Sequence, residues 1–211
     1  DMVLFADLNE QDFSDIHTPI DDLSFQPGAI LYSEKQSAQS LFTLRKGTVK
    51  LVRATVDGRE RIVRVLRAGD VIGLEALVTG HYDCEAVAMV DVNVCRIPLS
   101  VISHLSANSP RLHLRLMQKW QLALKDADDW LAELNFGTAR QRVASLALKM
   151  RDPDEPRFTA FFARDDMGAM LDLKLETVSR EISALLREGA LKACDKQGRR
   201  YEILDEKMLM T

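Results

Sequence analysis

Between Asp22 and Pro98 the apolar positions fall in short alternating runs, Leu23-Phe25, Ile30-Tyr32, Leu41-Leu44, Val49-Val52, Ile62-Leu66, Val71-Ile72, Ala86-Val90 and Val92-Ile97. Turn signals separate them at Pro27-Gly28, Lys46-Gly47, Asp57-Gly58, Ala68-Gly69 and Thr79-Gly80. A period of two, broken this often by glycine, predicts an antiparallel β-roll or barrel. Val56-Asp57-Gly58-Arg59, with an alternating run on each side, is the clearest hairpin. Ahead of the roll, residues 1 to 20 read as a short amphipathic helix pair whose apolar face is Leu4, Phe5, Leu8, Phe13 and Ile16.

After the roll the period changes. Pro110 opens a long helical segment to about Leu134, in which His113, Met117, Trp120, Leu124, Ala127, Leu131 and Leu134 are spaced 4, 3, 4, 3, 4, 3. That is a heptad seam, with His113 reading as a polar register device. A second stripe, Leu112, Leu116, Ala123 and Trp130, lies on another face. One stripe can pack on the roll while the other meets a partner helix, which predicts a parallel coiled-coil homodimer with Met117, Trp120, Leu124, Ala127, Leu131 and Leu134 at its interface. The alternative is a single helix buried inside a monomer. Asn135-Phe136-Gly137 breaks the pattern, so Gly137 is a natural C-cap or hinge, and a further helix is expected from Thr138 to Met150. Arg151 to Arg157 is a polar, proline-bearing loop, and Phe158 to Ala163 alternates weakly as a strand.

From Asp165 to Glu188 two short amphipathic helices are joined by a tight turn. Met167, Met170 and Leu171 mark the first, while Leu175, Val178, Ile182, Leu185 and Leu186 mark the second. Gly168 allows a close helix approach, and Asp172 suits a left-handed turn position. On the second helix Glu176, Ser179 and Arg180 stand at i, i+3 and i+4, opposite the apolar stripe. Arg can bond guanine through two donors, Glu can accept from the cytosine amino group, and Ser can bond either kind of base edge. The plainer reading of Glu176 and Arg180 is a solvated ion pair. Leu191-Lys192-Ala193-Cys194 and Arg200-Tyr201-Glu202-Ile203-Leu204, around a polar turn, then read as a β-hairpin wing.

The run Asp166, Gly168, Leu171, Leu173, Glu176, Thr177, Val178, Ser179, Arg180 resembles the DNA-binding motif of the Crp/Fnr family of bacterial transcription factors, on its Fnr side. Two positions depart from that pattern: Asp172 stands where the family often has Gly, and Lys174 replaces the Ser or Thr that would cap the second helix. The order of residues 27 to 77 independently resembles the sensor domain of the same family, a cyclic-nucleotide-binding-like jelly roll. The resemblance implies an α+β chain with a sensor β-roll over 1–109, a dimerisation helix and hinge over 110–136, and a winged helix-turn-helix over 137–211. It implies a homodimer on two-fold symmetric double-stranded DNA, a half-site similar to TTGAT, and RNA polymerase as a further partner. Arg180 would read guanine, Glu176 the complementary cytosine, and Ser179 would lie near a thymine methyl. Lys174, Thr177, Lys192, Lys196, Arg199 and Arg200 are the backbone-contact candidates.

Charge tempers this picture. The net charge is −4, and residues 164 to 202 hold eight Lys/Arg against eight Asp/Glu. Since DNA affinity rests largely on phosphate neutralisation, binding should depend on two copies presenting their faces together. With 46% hydrophobic and 28% charged residues and no membrane-length apolar run, the chain reads as a soluble globular protein of the cytoplasm. A start at Asp rather than Met suggests that a few leading residues are missing.

For the signal, the resemblance places the effector pocket at Gly73, Glu75, Asp83 and Cys84. In the cyclic-nucleotide receptors an Arg and a Ser meet the phosphate where this chain has Asp83 and Cys84, and a carboxylate there repels a phosphate. Redox, oxygen or nitrogen oxide signals are expected ahead of cyclic AMP. Gly80-His81 and the run Val94 to Pro98 look similar to the oxygen-sensing branch, whose [4Fe-4S] cluster uses a fourth cysteine at the place of Cys95. Residues 1 to 83 contain no cysteine, and the three present, Cys84, Cys95 and Cys194, match neither a zinc site nor a disulfide framework. The four histidines (His17, His81, His104 and His113) offer no obvious haem ligand. No cofactor is assigned and no metal site is expected. Signal transmission is expected to run from the loop around Glu75 to Cys84 into the helix near Met117 to Leu124, then through Gly137. The rival classes are a metal-dependent cupin-type enzyme, for which the roll supplies only His81, and a winged-helix module that docks protein.

Overall fold

The alternating runs become eight strands in the computed structural model, which describes residues 20–55, 58, 60–108, 110–152, 154–195 and 199–210. The helix pair read ahead of Ile20, most of the Val56 to Arg59 hairpin tip, His17 and Lys196 lie outside the described residues. The strands are β1 (Asp21–Phe25), β2 (Ile30–Tyr32), β3 (Ser40–Lys46), β4 (Thr48–Ala54), β5 (Glu60–Arg67), β6 (Val71–Ile72), β7 (Glu85–Ala88) and β8 (Val92–Pro98). They pair antiparallel into two four-stranded sheets, ordered β1-β8-β3-β6 and β2-β7-β4-β5. Most sheet neighbours are distant in sequence, which is the jelly-roll arrangement.

Period-two alternation sends Tyr32, Phe42, Leu44, Val49, Leu51, Leu66 and Ile72 into one core between the sheets. A second cluster joins Leu41, Val71, Cys95 and Ile97 to Val101, Ile102 and Leu105 of α2 (Leu99–Asn108) and to Leu112 and Leu116 of α3 (Pro110–Leu134). Strand β3 is therefore apolar at successive positions, Leu41 and Phe42, because both its faces are covered. Helix α2 goes beyond the sequence reading, as does the single turn α1 (Ala76–Thr79) ended by Gly80.

The two stripes of α3 separate as expected, but at a shifted register. Leu112, Leu116 and Trp130 are buried, whereas Met117, Leu124 and Leu131 are 53%, 62% and 58% exposed. Trp120 and Ala127, assigned to the partner seam, are half-buried and line a cavity with strand residues, and Leu134 is fully buried in its own chain. Met117, Leu124 and Leu131 share the seven-residue period of Trp120, Ala127 and Leu134, so spacing alone does not say which of the two sets is covered; the packing of the helix decides it. Within the first unit, Leu114, Met117, Gln121 and Leu124 form the outward line, all exposed.

The chain divides into two compact units, residues 1–127 and 128–211. The division falls inside α3 rather than at Gly137, because the last turns of the helix pack within the second unit. Lys149 of α4 (Ala139–Lys149) lies 3.3 Å from Glu133 and 5.6 Å from the Trp130 ring centroid. Thr138, read as the first residue of that helix, is its N-cap. The Thr138 hydroxyl accepts from the Gln141 N–H at 3.2 Å, while Gln141 Oε1 accepts from the Thr138 N–H at 2.9 Å. This reciprocal capping box fixes where the helix starts after the positive-φ Gly137.

The rest of the second unit is β9 (Phe158–Ala160), α5 (Arg164–Leu171), α6 (Leu175–Arg187), β10 (Leu191–Ala193), β11 (Arg200–Ile203) and a 3-10 turn, Lys207–Leu209. The strands form one antiparallel sheet ordered β10-β11-β9, so the Phe158 segment, read as a leading strand, pairs with the wing hairpin. Phe161, Met167, Leu171, Val178, Ile182, Leu185 and Tyr201 fill its core.

Candidate nucleic-acid interface and sensor cavity

Helices α5 and α6 meet across a three-residue turn built on Gly168. Asp172 takes the left-handed conformation expected of it (φ 53°, ψ 48°) and its N–H donates to Gly168 O. The Leu173 N–H donates to the same carbonyl at 3.1 Å. From α4, Arg142 Nη1 donates to Leu171 O at 2.8 Å, satisfying one of the carbonyls that the end of α5 leaves unpaired. Arg140 of α4 grips the far end of α6, donating to Glu188 from Nη1 at 3.1 Å and from Nη2 at 2.6 Å. That pair raises the Arg140 guanidinium and lowers the Glu188 carboxyl.

Val178, Ile182 and Leu185 bury one face of α6, which leaves Glu176 and Arg180 exposed and Ser179 half-exposed on the other. The ion pair considered from the sequence, Glu176 with Arg180, is not the one formed: Arg180 pairs with Glu181. The N-cap position, Lys174, has the extended backbone of a cap but no side-chain cap bond. Lys174→Ser should therefore raise the unfolding free energy of this unit by about 1 kcal/mol, since Ser can accept the orphan N–H groups of the first turn. Chemical denaturation measures this, and an unchanged midpoint would mean the first turn is already satisfied.

On the wing, Lys192 and Arg199 are exposed. Arg200 Nη2 donates to Glu155 at 2.7 Å and its guanidinium lies 4.3 Å from the Phe158 ring centroid. Asp195 ties the hairpin, accepting the backbone N–H groups of Arg199 and Arg200 at 2.9 Å each.

Within the first unit, a cavity of about 360 Å³ opens between the roll and α3. Glu75, Asp83 and Cys84 line it, joined by Arg53 and Arg64 from β4 and β5 and by Trp120, Ala123, Leu124 and Ala127 of α3. Gly73 is not in the wall. It supports the site from behind, since at φ 83° a Cβ would fall 2.9 Å from the Tyr82 ring. That ring stacks on Tyr32 with centroids 3.6 Å apart, and its hydroxyl donates to Ser40 O at 2.7 Å. The two arginines are the charged cavity residues that sequence reasoning missed, because only the β4–β5 pairing brings them to the wall.

The thiols in this unit are held protonated. Burial, then the Glu75 carboxylate, push Cys84 up to about 11, and burial raises the fully enclosed Cys95. Cys194 is exposed in the other unit. Titration with a thiol reagent at pH 8 should label Cys194 first and leave Cys84 slow, because the thiolate is the reacting species. Fast labelling of Cys84 would show that the loop opens. Among the described residues no three His, Cys, Asp or Glu side chains gather as a metal site. The described residues hold three cysteines, Cys84, Cys95 and Cys194, which is one short of the four thiolates such a cluster takes.

Family models agree with both halves of this architecture: a cyclic nucleotide-binding domain matches residues 22–109 and a Crp-like helix-turn-helix domain matches residues 141–211. The fumarate nitrate reduction regulatory protein of Klebsiella oxytoca is 30% identical over 193 residues, covering 87% of this chain and 76% of that protein. The corresponding protein of Escherichia coli K12 is 29% identical over the same length. The solved structure of FixK2 from Bradyrhizobium japonicum matches with a TM-score of 0.81 and 26% identity, over 91% of this chain and 96% of that one. A CRP-family transcriptional regulator from Thermus thermophilus shares the fold, with a TM-score of 0.73 and 23% identity over 89% of this chain and 94% of that one. A jelly-roll sensor followed by a long helix and a DNA-binding helix-turn-helix, at this level of identity, places the chain in the Crp/Fnr family of transcription regulators.

Proposed function

We propose that the protein acts in the cytoplasm as a homodimer that reads a two-fold symmetric operator through Glu176, Ser179 and Arg180. Arg180 bonds guanine, Glu176 accepts from the paired cytosine, and Ser179 lies against a thymine. Lys174, Thr177, Lys192, Lys196 and Arg199 position the phosphates. The observation that carries this reading is the two-faced α6, with an apolar stripe buried and a polar trio turned to solvent. The second copy docks along the outward line of α3, where Leu114, Met117 and Leu124 stand uncovered. Two recognition helices then reach successive major grooves about 34 Å apart.

The signal enters at the cavity of the first unit. Its wall holds both the loop residues Glu75, Asp83 and Cys84 and the helix residues Trp120 to Ala127, so an occupant there bears on the partner-facing helix directly. Asp83 stands where the cyclic-nucleotide receptors offer an Arg to the phosphate, while Arg53 and Arg64 balance the charge of Glu75 and Asp83 in the wall. The Fnr relatives, named for fumarate and nitrate reduction, favour a redox, oxygen or nitrogen oxide signal. RNA polymerase is the downstream partner.

Fluorescence anisotropy with a TTGAT-type palindromic duplex and a scrambled duplex, alongside sedimentation of the free protein, tests the reading. A dimer that prefers the palindrome supports it. A monomer, or equal affinity for both duplexes, refutes it.

A further inference from the structure

We infer that Glu181 is the positioning residue that makes Arg180 selective for guanine, an inference that rests on the base-reading role given to Arg180. Adjacent residues of a helix do not ordinarily face one another. Here, nevertheless, Arg180 Nε donates to Glu181 Oε1 at 3.2 Å, and Nη2 lies 3.2 Å from the same oxygen. The Arg180 side chain is 69% exposed and that of Glu181 only 16%. The carboxylate sits against the protein while the guanidinium reaches outward. Arg140 of α4, bonded to Glu188, also feels the charge of Glu181.

The donor count decides what this pairing does. A guanidinium has five N–H groups in a rigid fork. Glu181 occupies the side edge formed by Nε and Nη2, which leaves the end formed by Nη1 and the second hydrogen of Nη2. That end suits the O6 and N7 acceptors of guanine. Glu181 and the base can therefore be bonded together, and the long side chain is ordered before DNA arrives, which lowers the entropy lost on binding. The same carboxylate adds a negative charge beside the groove, which weakens contact with phosphates whatever the sequence. Both effects widen the gap between operator and random DNA.

The test measures full-length wild type, Glu181→Ala, Glu181→Gln, Arg180→Ala and the double variant on three duplexes: the palindrome, a palindrome with the guanine of each half-site replaced by adenine, and a scrambled sequence. Glu181→Ala should weaken palindrome binding roughly 3- to 10-fold per half-site. Its affinity for scrambled DNA should hold or rise, and its penalty for adenine should shrink. Glu181→Gln, which keeps an acceptor, should fall between Ala and wild type on the palindrome. In the Arg180→Ala background, removing Glu181 should leave the adenine penalty unchanged. If Glu181→Ala raises or lowers affinity for the palindrome and the scrambled duplex in step, Glu181 only repels or only supports the fold, and the inference is overturned. If Arg180→Ala keeps the guanine preference, the base assignment beneath the inference fails. If Arg180→Ala loses that preference while Glu181→Ala retains it in full, the role of Glu181 alone is wrong.

Discussion

Arg180→Ala should weaken operator binding by about 1 to 3 kcal/mol per half-site, roughly 5- to 150-fold for each, and by up to the square of that for a dimer engaging both. The size reflects the contact that is lost. A bidentate Arg–guanine contact discriminates against every other base at that position, whereas an exposed lysine on the wing adds only one phosphate. The signature separates the two. With Arg180→Ala, affinity for scrambled DNA and the salt dependence should change little. With Lys192→Ala the salt slope should fall by about 1 per protomer while selectivity stays. Anisotropy titrations at several salt concentrations give both numbers. If Arg180→Ala instead lowered the salt slope and left selectivity untouched, Arg180 would be a phosphate contact and the orientation proposed for α6 would be wrong.

The residues that make this possible differ in how plainly the chain displays them. The reading face was legible because it is local: one helix, one period, three polar positions opposite Val178, Ile182 and Leu185. The strands of the roll were legible for the same reason, since alternation is a nearest-neighbour signal. Sheet order is not local, so Arg53 and Arg64 could not be placed in the cavity wall without knowing that β4 pairs with β5. The seam along α3 is legible only in part. Trp120, Ala127 and Leu134 repeat at the same seven-residue period as the exposed Met117, Leu124 and Leu131, so a heptad as text cannot tell the covered set from the open one; that depends on what packs against the helix. Glu181 was missed because helical pair rules look three and four residues away, and its partner is the residue before it.

Gly168→Ala should destabilise the second unit by about 1 to 3 kcal/mol and reduce DNA binding with it. Two effects oppose each other here, and their magnitudes decide the sign. In a helix interior Ala is better than Gly by about 1 kcal/mol, so propensity alone predicts a more stable protein. Packing predicts the opposite. A Cβ on Gly168 would fall 2.6 Å from the carbonyl oxygen of Leu173, with Leu175 N at 3.9 Å. That oxygen belongs to the backbone of the turn, so it cannot swing aside as a long side chain would. The turn would have to lift away from α5, which pulls the N–H groups of Asp172 and Leu173 from Gly168 O. Each weakened bond adds about 1 kcal/mol to the strain, so the clash outweighs the propensity gain. The displacement is also transmitted to the start of α6, where Glu176 would move relative to the groove. Chemical denaturation and operator binding on the same protein measure the two consequences. A Gly168→Ala protein at least as stable as wild type would mean that the turn yields easily, and that the close approach of the two helices is not what sets the recognition helix in place.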